Sequence, residues 1–311
     1  MRVFDCFTFY KEFDLLELRL EELWDVVDYF VISEAGHTHQ GQPKPYHLLD
    51  ENWDRFAKYH SKIRHVRIDD MPNTSNSWEN ENHQRRSLMR GLYDMTPEDI
   101  IITGDADEIV RPEVIELIKQ DANDYNRYIP FLPLFYFKLN YLMVNPCGIH
   151  GKSVVTRGRA FLDPQKEREV TFPWMPKPAN LDWCYINHGG WHFSYMGDTE
   201  YAKNKLRTFA HAESNVPEIV DNINVDEMIK RKVGIGWERG EERFAYVHIE
   251  DYMPQYIINN PERWAEHVIP DAEFSVYDFY PDIELTPENL DQHVNRTNGT
   301  FLQQYRRLVQ L

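Results

Sequence analysis

The sequence predicts an α/β protein with a mostly parallel central sheet flanked by helices, a smaller antiparallel part and a C-terminal helical extension. Three observations carry that expectation. Strand-like and helix-like segments alternate through residues 1–120. Residues 100–103, Ile-Ile-Ile-Thr, form the continuous apolar run of a strand buried inside a parallel sheet. Beyond them the pattern turns to aromatic segments broken by Pro130 and Pro133, which suit edges and bulges.

Residues 3–9 are short, apolar and aromatic, hence a strand. Phe13, Leu16, Leu20 and Leu23 then recur at helical spacing, with Glu17, Arg19, Glu21 and Glu22 between them. Residues 29–33 read as a short buried strand, and residues 63–68 as a strand covered on one side. Residues 78–93 are polar and helix-compatible, with Leu88, Met89 and Leu92 facing inward. Thr96-Pro97-Glu98-Asp99 makes a turn before the strand at 100–103, and Pro112 opens a helix running to about Lys119. Residues 128–139 and 181–195 read as strands, and the proline-rich stretch 163–180 as an extended loop. Ala202, Leu206, Phe209 and Ala210 mark one amphipathic helix, residues 225–233 a second, and residues 301–309 a closing one.

Composition narrows the function. With 42% hydrophobic residues in 311, the chain can bury a sizeable core. A net charge of −17 without a basic stretch excludes a nucleic-acid footprint, so any anionic nucleotide must be met by a cation and a few local arginines. Cys6, Cys147 and Cys184 have no paired spacing, which predicts neither a disulfide framework nor a structural zinc site and fits a reducing compartment. The N-terminus lacks the apolar stretch of a signal peptide, and no window suggests a membrane span. Little weight therefore falls on the sequons at Asn73, Asn295 and Asn298.

The chemistry-bearing candidate is Gly104-Asp105-Ala106-Asp107-Glu108, directly after the buried strand. In α/β sheets, ligands bind beyond the carboxyl ends of strands. Asp105 and Asp107, two apart, project to one face if the backbone stays extended, and repel each other unless a cation sits between them. Hard oxygen ligands suit Mg²⁺ or Mn²⁺, which could bridge a diphosphate and neutralise a departing nucleotide. An ordinary solvated acidic turn is the competing interpretation. Asn82, Arg86 and Arg90 share a helix face from which arginines could hold phosphate oxygens, although surface pairs such as Glu81 with Arg85 explain such residues equally well. Glu34, at the end of a strand, could accept from a nucleoside hydroxyl or cap a turn.

At these residues the chain resembles glycosyltransferase family 17. The resemblance is carried by Glu12-Phe-Asp-Leu-Leu-Glu-Leu-Arg19, Val26-Val-Asp-Tyr-Phe-Val-Ile-Ser-Glu34 with Gly41-Gln-Pro-Lys-Pro45, Asp105-Ala-Asp-Glu-Ile109 and Gly189-Gly-Trp-His-Phe-Ser194, and more loosely by Tyr201-Ala-Lys-Asn-Lys205 and residues 256–264. It implies a GT-A-like fold, a UDP-N-acetylglucosamine donor, Mn²⁺ dependence and inversion at the anomeric carbon. Residues 1–268 would then be the glycosyltransferase domain, with 1–120 the nucleotide-sugar half, 121–268 the acceptor side and 269–311 an extension. His192 gains a place beside Asp105 and Asp107 as a metal ligand. Gly189 and Gly190 would let the backbone approach the diphosphate, and Trp191 would cover a sugar or base. Inversion needs a general base, for which Glu108 is chosen over Asp163, Asp198 and Glu238. Lys203 and Lys205 could meet phosphates, although solvated surface is the commoner fate.

The partners expected are a nucleotide-sugar donor and a glycan or polysaccharide acceptor. The expected setting is cytoplasmic, in a bacterium or virus. Two rivals remain open. A metal-dependent hydrolase or nucleotidyltransferase would want a histidine cluster beyond His37 and His39, and a catalytically silent sugar-binding protein would show no nucleotide dependence.

Overall fold

A computed structural model describes residues 1–279 apart from 73, 122–123, 146–148, 151–152, 170–182, 236–242 and 250–251. In chain order the described elements begin β1 (Val3–Thr8), α1 (Phe13–Leu23), β2 (Tyr29–Ala35), β3 (Ile63–Ile68), α2 (Ser77–Ser87), β4 (Ile100–Asp105), β5 (Glu108–Val110) and α3 (Pro112–Gln120). The middle of the chain contributes β6 (Arg127–Pro130), β7 (Leu132–Tyr136), β8 (Tyr141–Asn145), β9 (Ile149–His150), β10 (Val154–Arg157), α4 (Pro164–Glu169), β11 (Trp183–Ile186) and β12 (Gly190–Ser194). They end with α5 (Thr199–Thr208), α6 (Pro217–Val220), α7 (Val225–Lys230), β13 (Arg243–Tyr246), α8 (Gln255–Asn259) and α9 (Pro261–Trp264).

Two sheets organise these elements. The first has the order β11-β6-β10-β4-β1-β2-β3. Its β4-β1-β2-β3 half is parallel, as the alternation of strand and helix predicts. The expectation of a mostly parallel sheet is corrected at β10, which runs antiparallel to both β4 and β6. Between β4 and β10 the chain builds α3 and strands of the other sheet instead of one crossover helix, so it can return in the opposite direction. The second sheet has the order β13-β8-β7-β12-β5, with β9 beside β7. It too is mixed, because β7 and β12 are parallel while its other pairings are antiparallel. The first sheet draws β6, β10 and β11 from beyond residue 120, and the second takes β5 from before it.

The interior of the parallel half is dry because β1, β2 and β4 carry mostly apolar residues, whereas the edge strand β3 alternates Val66 and Ile68 with His65 and the exposed Arg67. Ile100, Ile101 and Ile102 have no exposed surface, nor do Phe4, Phe7, Val31 and Ile32. Leu15, Leu16, Leu18, Leu20 and Leu23 of α1 are buried against this sheet, each worth ~1.5–3 kcal/mol by transfer from water. Apolar burial locks the carboxyl ends of β1, β2 and β4 beside one another.

Residues 78–93 divide into α2 and a 3-10 turn at Leu88–Gly91, and Asp99 N–H closes a turn on the Thr96 carbonyl, 3.1 Å away. The extended loop expected over 163–180 is corrected for its first part, which is α4. Asp163 starts that helix by accepting from the N–H groups of Gln165 and Lys166 at 2.9 and 3.0 Å, and Pro164 occupies its first position. Residues 170–180 and the helix expected at 301–309 lie outside the described residues, as do most of the extension, Cys147 and the sequon asparagines at 73, 295 and 298.

Candidate functional site

The acidic segment is the step between the two sheets. β4 ends at Asp105, Ala106 and Asp107 turn, and Glu108 begins β5. Gly104 leaves room just before it, since a Cβ there would sit 2.7 Å from Ser153 Oγ and push that hydroxyl aside. Arg19 of α1 pins the step from beneath. It is fully buried, pairs with Asp5 by a fork at 2.7 and 2.6 Å, and donates through one nitrogen to the carbonyls of Asp105 and Glu108 at 2.8 and 2.7 Å. The arginine that ends the Phe13–Arg19 motif therefore shapes the acidic turn.

The turn decides where the carboxylates face, and it overturns the extended-backbone expectation. Asp105 and Glu108, not Asp105 and Asp107, converge. Both accept from Arg168 of α4, Glu108 through both oxygens at 2.7 and 3.0 Å. Asp105 also accepts from Arg85 at 3.0 Å. Burial pushes the Asp105 carboxyl up, but Arg168 and Arg85 outweigh it and hold the group below its ordinary range. Asp107 turns the other way. Its Oδ2 accepts from Lys205 of α5 at 2.8 Å, and its Oδ1 lies 3.7 Å from His192 Nε2. Burial alone would lower the Lys205 ammonium, yet Asp107 raises it well above the usual lysine value, so it stays charged.

β12 brings His192 to this place by pairing antiparallel with β5, His192 opposite Glu108. The Phe193 N–H donates to the Asp107 carbonyl at 2.8 Å. Alternation along the strand sends Trp191 to the opposite face. Trp191 is 1% exposed and donates its indole N–H to the Tyr252 carbonyl at 2.6 Å, so it packs in the core and cannot cover a ligand. Gly189 and Gly190 likewise serve packing. Cβ atoms there would meet Pro130 Cβ at 2.3 Å and the Ile109 carbonyl at 2.0 Å.

The remaining sequence candidates divide. Glu34 is fully buried and accepts from the N–H groups of Leu48 and Leu49 at 3.0 and 3.4 Å and from His65 at 3.1 Å, so it caps a turn and meets no ligand space. Asn82 lines the cleft described below. Arg86 points away, half-exposed, with Asp163 3.8 Å from it, and Arg85 takes the inward place. Arg90 pairs with Asp70 on the surface. Glu108 lies in the wall of the larger cleft, but it is 1% exposed and its carboxylate is engaged by Arg168, Ser153 and the Asp105 N–H, whereas a general base needs a free oxygen toward the acceptor hydroxyl. Asp163 and Asp198 are the caps of α4 and α5. Glu238 lies outside the described residues. Lys203 sits 3.9 Å from Glu200. His39 bonds Gln84 at 2.8 Å while His37 is exposed. Arg168 was hidden from the sequence reading inside a supposed loop, although Asp163-Pro164 is a helix-start signal that could have exposed it.

Two recesses open on either side of the Asp105–Asp107 edge. A pocket of about 130 Å³ lies over the carboxyl ends of β1, β2 and β4, lined by Thr8, Tyr10, Thr38, His39 and Lys44. A cleft of about 560 Å³ lies on the other side, lined by Trp78, Asn82, Arg168, His192, Tyr195 and His211. Both include Asp105, Asp107 and Lys205 in their walls.

Residues 1–163 match the model of a family described as Glycosyltransferase family 17. Over 125 residues, 38% of this chain, the sequence is 31% identical to the β-1,4-mannosyl-glycoprotein 4-β-N-acetylglucosaminyltransferases of Rattus norvegicus and Homo sapiens, covering 23% and 24% of those proteins. The Mus musculus protein of the same name is 30% identical over the same length. The match thus spans less than a quarter of each relative's length. These mammalian relatives overturn the expectation of a cytoplasmic, bacterial or viral setting. Among the described residues no helix is long and apolar enough to cross a membrane.

Proposed function

This chain belongs to glycosyltransferase family 17, and from that premise we propose that it transfers a sugar, N-acetylglucosamine from UDP-N-acetylglucosamine, to a glycan acceptor with inversion at the anomeric carbon, on a GT-A-like framework. The observation that carries the reading is the pair of recesses sharing one acidic edge. Two substrates that exchange a group must meet at a common boundary. The smaller pocket, beyond the carboxyl ends of parallel strands, is the donor side. The larger cleft is the acceptor side. On this proposal the donor half is built chiefly from residues 1–120 and the acceptor half from 121–268.

The walls supply charge suited to a diphosphate. Lys44 lines the donor pocket with its nearest carboxylate, Glu34, 3.9 Å away, which leaves its ammonium able to turn to an anionic ligand. Lys205 stands at the shared edge. Among the described residues no group of three or more acidic, histidine or cysteine side chains is disposed to hold a metal. The fit to a divalent cation is confined to Asp107 and His192, which already approach each other, because both Asp105 oxygens are engaged by arginines. Asp107 and His192 would hold Mn²⁺ or Mg²⁺, and the ion would neutralise the charge that gathers on a departing nucleoside diphosphate. Arg168 and Arg85 hold Asp105 in the wall, so the edge keeps its shape as ligands enter.

Thermal-shift titration with UDP and UDP-N-acetylglucosamine, with and without Mn²⁺, tests this on the wild type and Asp107→Ala. A Mn²⁺-dependent rise of several degrees in the wild type, absent from the variant, is the expected result. No response at millimolar nucleotide would remove the donor assignment. Product analysis completes the test: a lengthened acceptor supports transfer, and free sugar alone means hydrolysis.

A further inference from the structure

We propose that Trp78 and Asn82 form a binding subsite for one pyranose ring of the acceptor glycan. This deepens the reading of the larger cleft as the acceptor side and rests on it. Trp78 is 41% exposed, and among the described large hydrophobic side chains with comparable exposure it is the one that lines either of the two recesses. An indole left open to water beside a cleft is a ready surface for a partner with an apolar face of its own.

The surroundings hold the ring in position. Ser77 Oγ donates to the Ala210 carbonyl at 2.5 Å, tying the start of α2 to the segment after α5. Asn76 caps the helix by accepting from the Trp78 N–H at 3.1 Å. His211 stands perpendicular to the indole, ring centres 4.5 Å apart. Trp78 is therefore oriented before any ligand arrives, which lowers the ordering cost of binding.

Asn82 lies four residues on, hence on the same helix face, about 5–6 Å away between Cβ atoms. It lines the same cleft with an amide carrying both donor and acceptor. A flat apolar surface beside a two-way hydrogen-bonding group matches a sugar ring, which has a C–H face and a rim of hydroxyls. The arginines and Lys205 lie deeper, toward the acidic edge, so an anion is not the partner that this end of the cleft suits.

The test compares wild type, Trp78→Ala and Trp78→Phe by saturation-transfer NMR with a β-1,4-mannosyl oligosaccharide of the N-glycan core, and by calorimetry with UDP. The expected loss of oligosaccharide affinity in Trp78→Ala is about tenfold, the equivalent of ~1.4 kcal/mol, with Trp78→Phe recovering most of it. UDP affinity and melting temperature should stay at wild-type values in both variants. Unchanged oligosaccharide affinity, or no oligosaccharide binding to the wild type, overturns the subsite while UDP binding leaves the donor reading standing. A parallel loss of UDP affinity in Trp78→Ala assigns the indole to the nucleotide and overturns it too. Absence of UDP binding to the wild type instead strikes the function itself.

Discussion

At the scale of single residues, the site depends on arginines whose roles could not be read from spacing. Asn82, Arg86 and Arg90 fall at helical spacing in the sequence, yet α2 ends at Ser87, Arg86 and Arg90 go to Asp163 and Asp70, and it is Arg85 that reaches Asp105. The buried residues of α2 include Ser77, Asn80, Gln84, Arg85 and Ser87, all polar, so no apolar stripe marks the inward face. Trp191 and His192 show the opposite case, since strand alternation separates a packed residue from a site residue. Arg19 yields the sharpest residue-level prediction. Lysine retains the charge but cannot both fork Asp5 and reach two carbonyls of the acidic turn. Arg19→Lys should cost ~2–4 kcal/mol in urea denaturation, since buried acceptors are left unmet. A loss below ~0.5 kcal/mol would show that the turn holds itself without this support.

Among elements, the most legible were those whose pattern is set by burial alone. Residues 100–103 could hardly be anything but an interior strand, and α1 follows its leucines. What stayed illegible depended on partners distant in sequence. Nothing in residues 154–157 announces an antiparallel strand beside β4, because direction is set by the route of the intervening chain. β12 offers an element-scale test. Gly190→Ala would place a methyl 2.0 Å from the Ile109 carbonyl, forcing β12 away from β5 and His192 away from Asp107. We expect loss of the Mn²⁺-dependent thermal shift together with a destabilisation of ~1–3 kcal/mol. Retention of the metal response with full stability would mean that β12 can slide without disturbing the site.

For the whole molecule, paired surface carboxylates add to the acid limit, each by a small amount because solvent screens it. The Arg64 and Arg2 guanidiniums hold Asp94 well below the usual carboxylate range, tying β1 and β3 to the turn before β4. Asp14 is lowered by His267, then by Arg263 and Arg55; the first two link α1 to the C-terminal helices and Arg55 links it to residues 53–59. Arg90 brings Asp70 down to about 2. Each of these folded-state values lies below the unfolded aspartate value near 3.9, so their contribution is present above that pH and lost as pH falls through the depressed values. The melting temperature should therefore be nearly flat from about pH 5 to 8 and fall below about pH 4. Asp94→Asn should flatten part of that fall, and an unchanged acid limb in the variant would assign the loss elsewhere.

The two-residue step from β4 to β5 also bears on how this chain can vary in length. Ala106 and Asp107 span the gap between sheets with no slack, and Arg19 grips the carbonyl on each side. An inserted or deleted residue between Gly104 and Ile109 would shift the register of β5 on β12 and break the alignment of the acidic edge with His192. Length variation belongs instead in surface connections such as the turn at Ala212–Ser214. On the proposed acceptor reading, a library of designed variants can lengthen that turn to test different glycans while the step between sheets keeps its two residues.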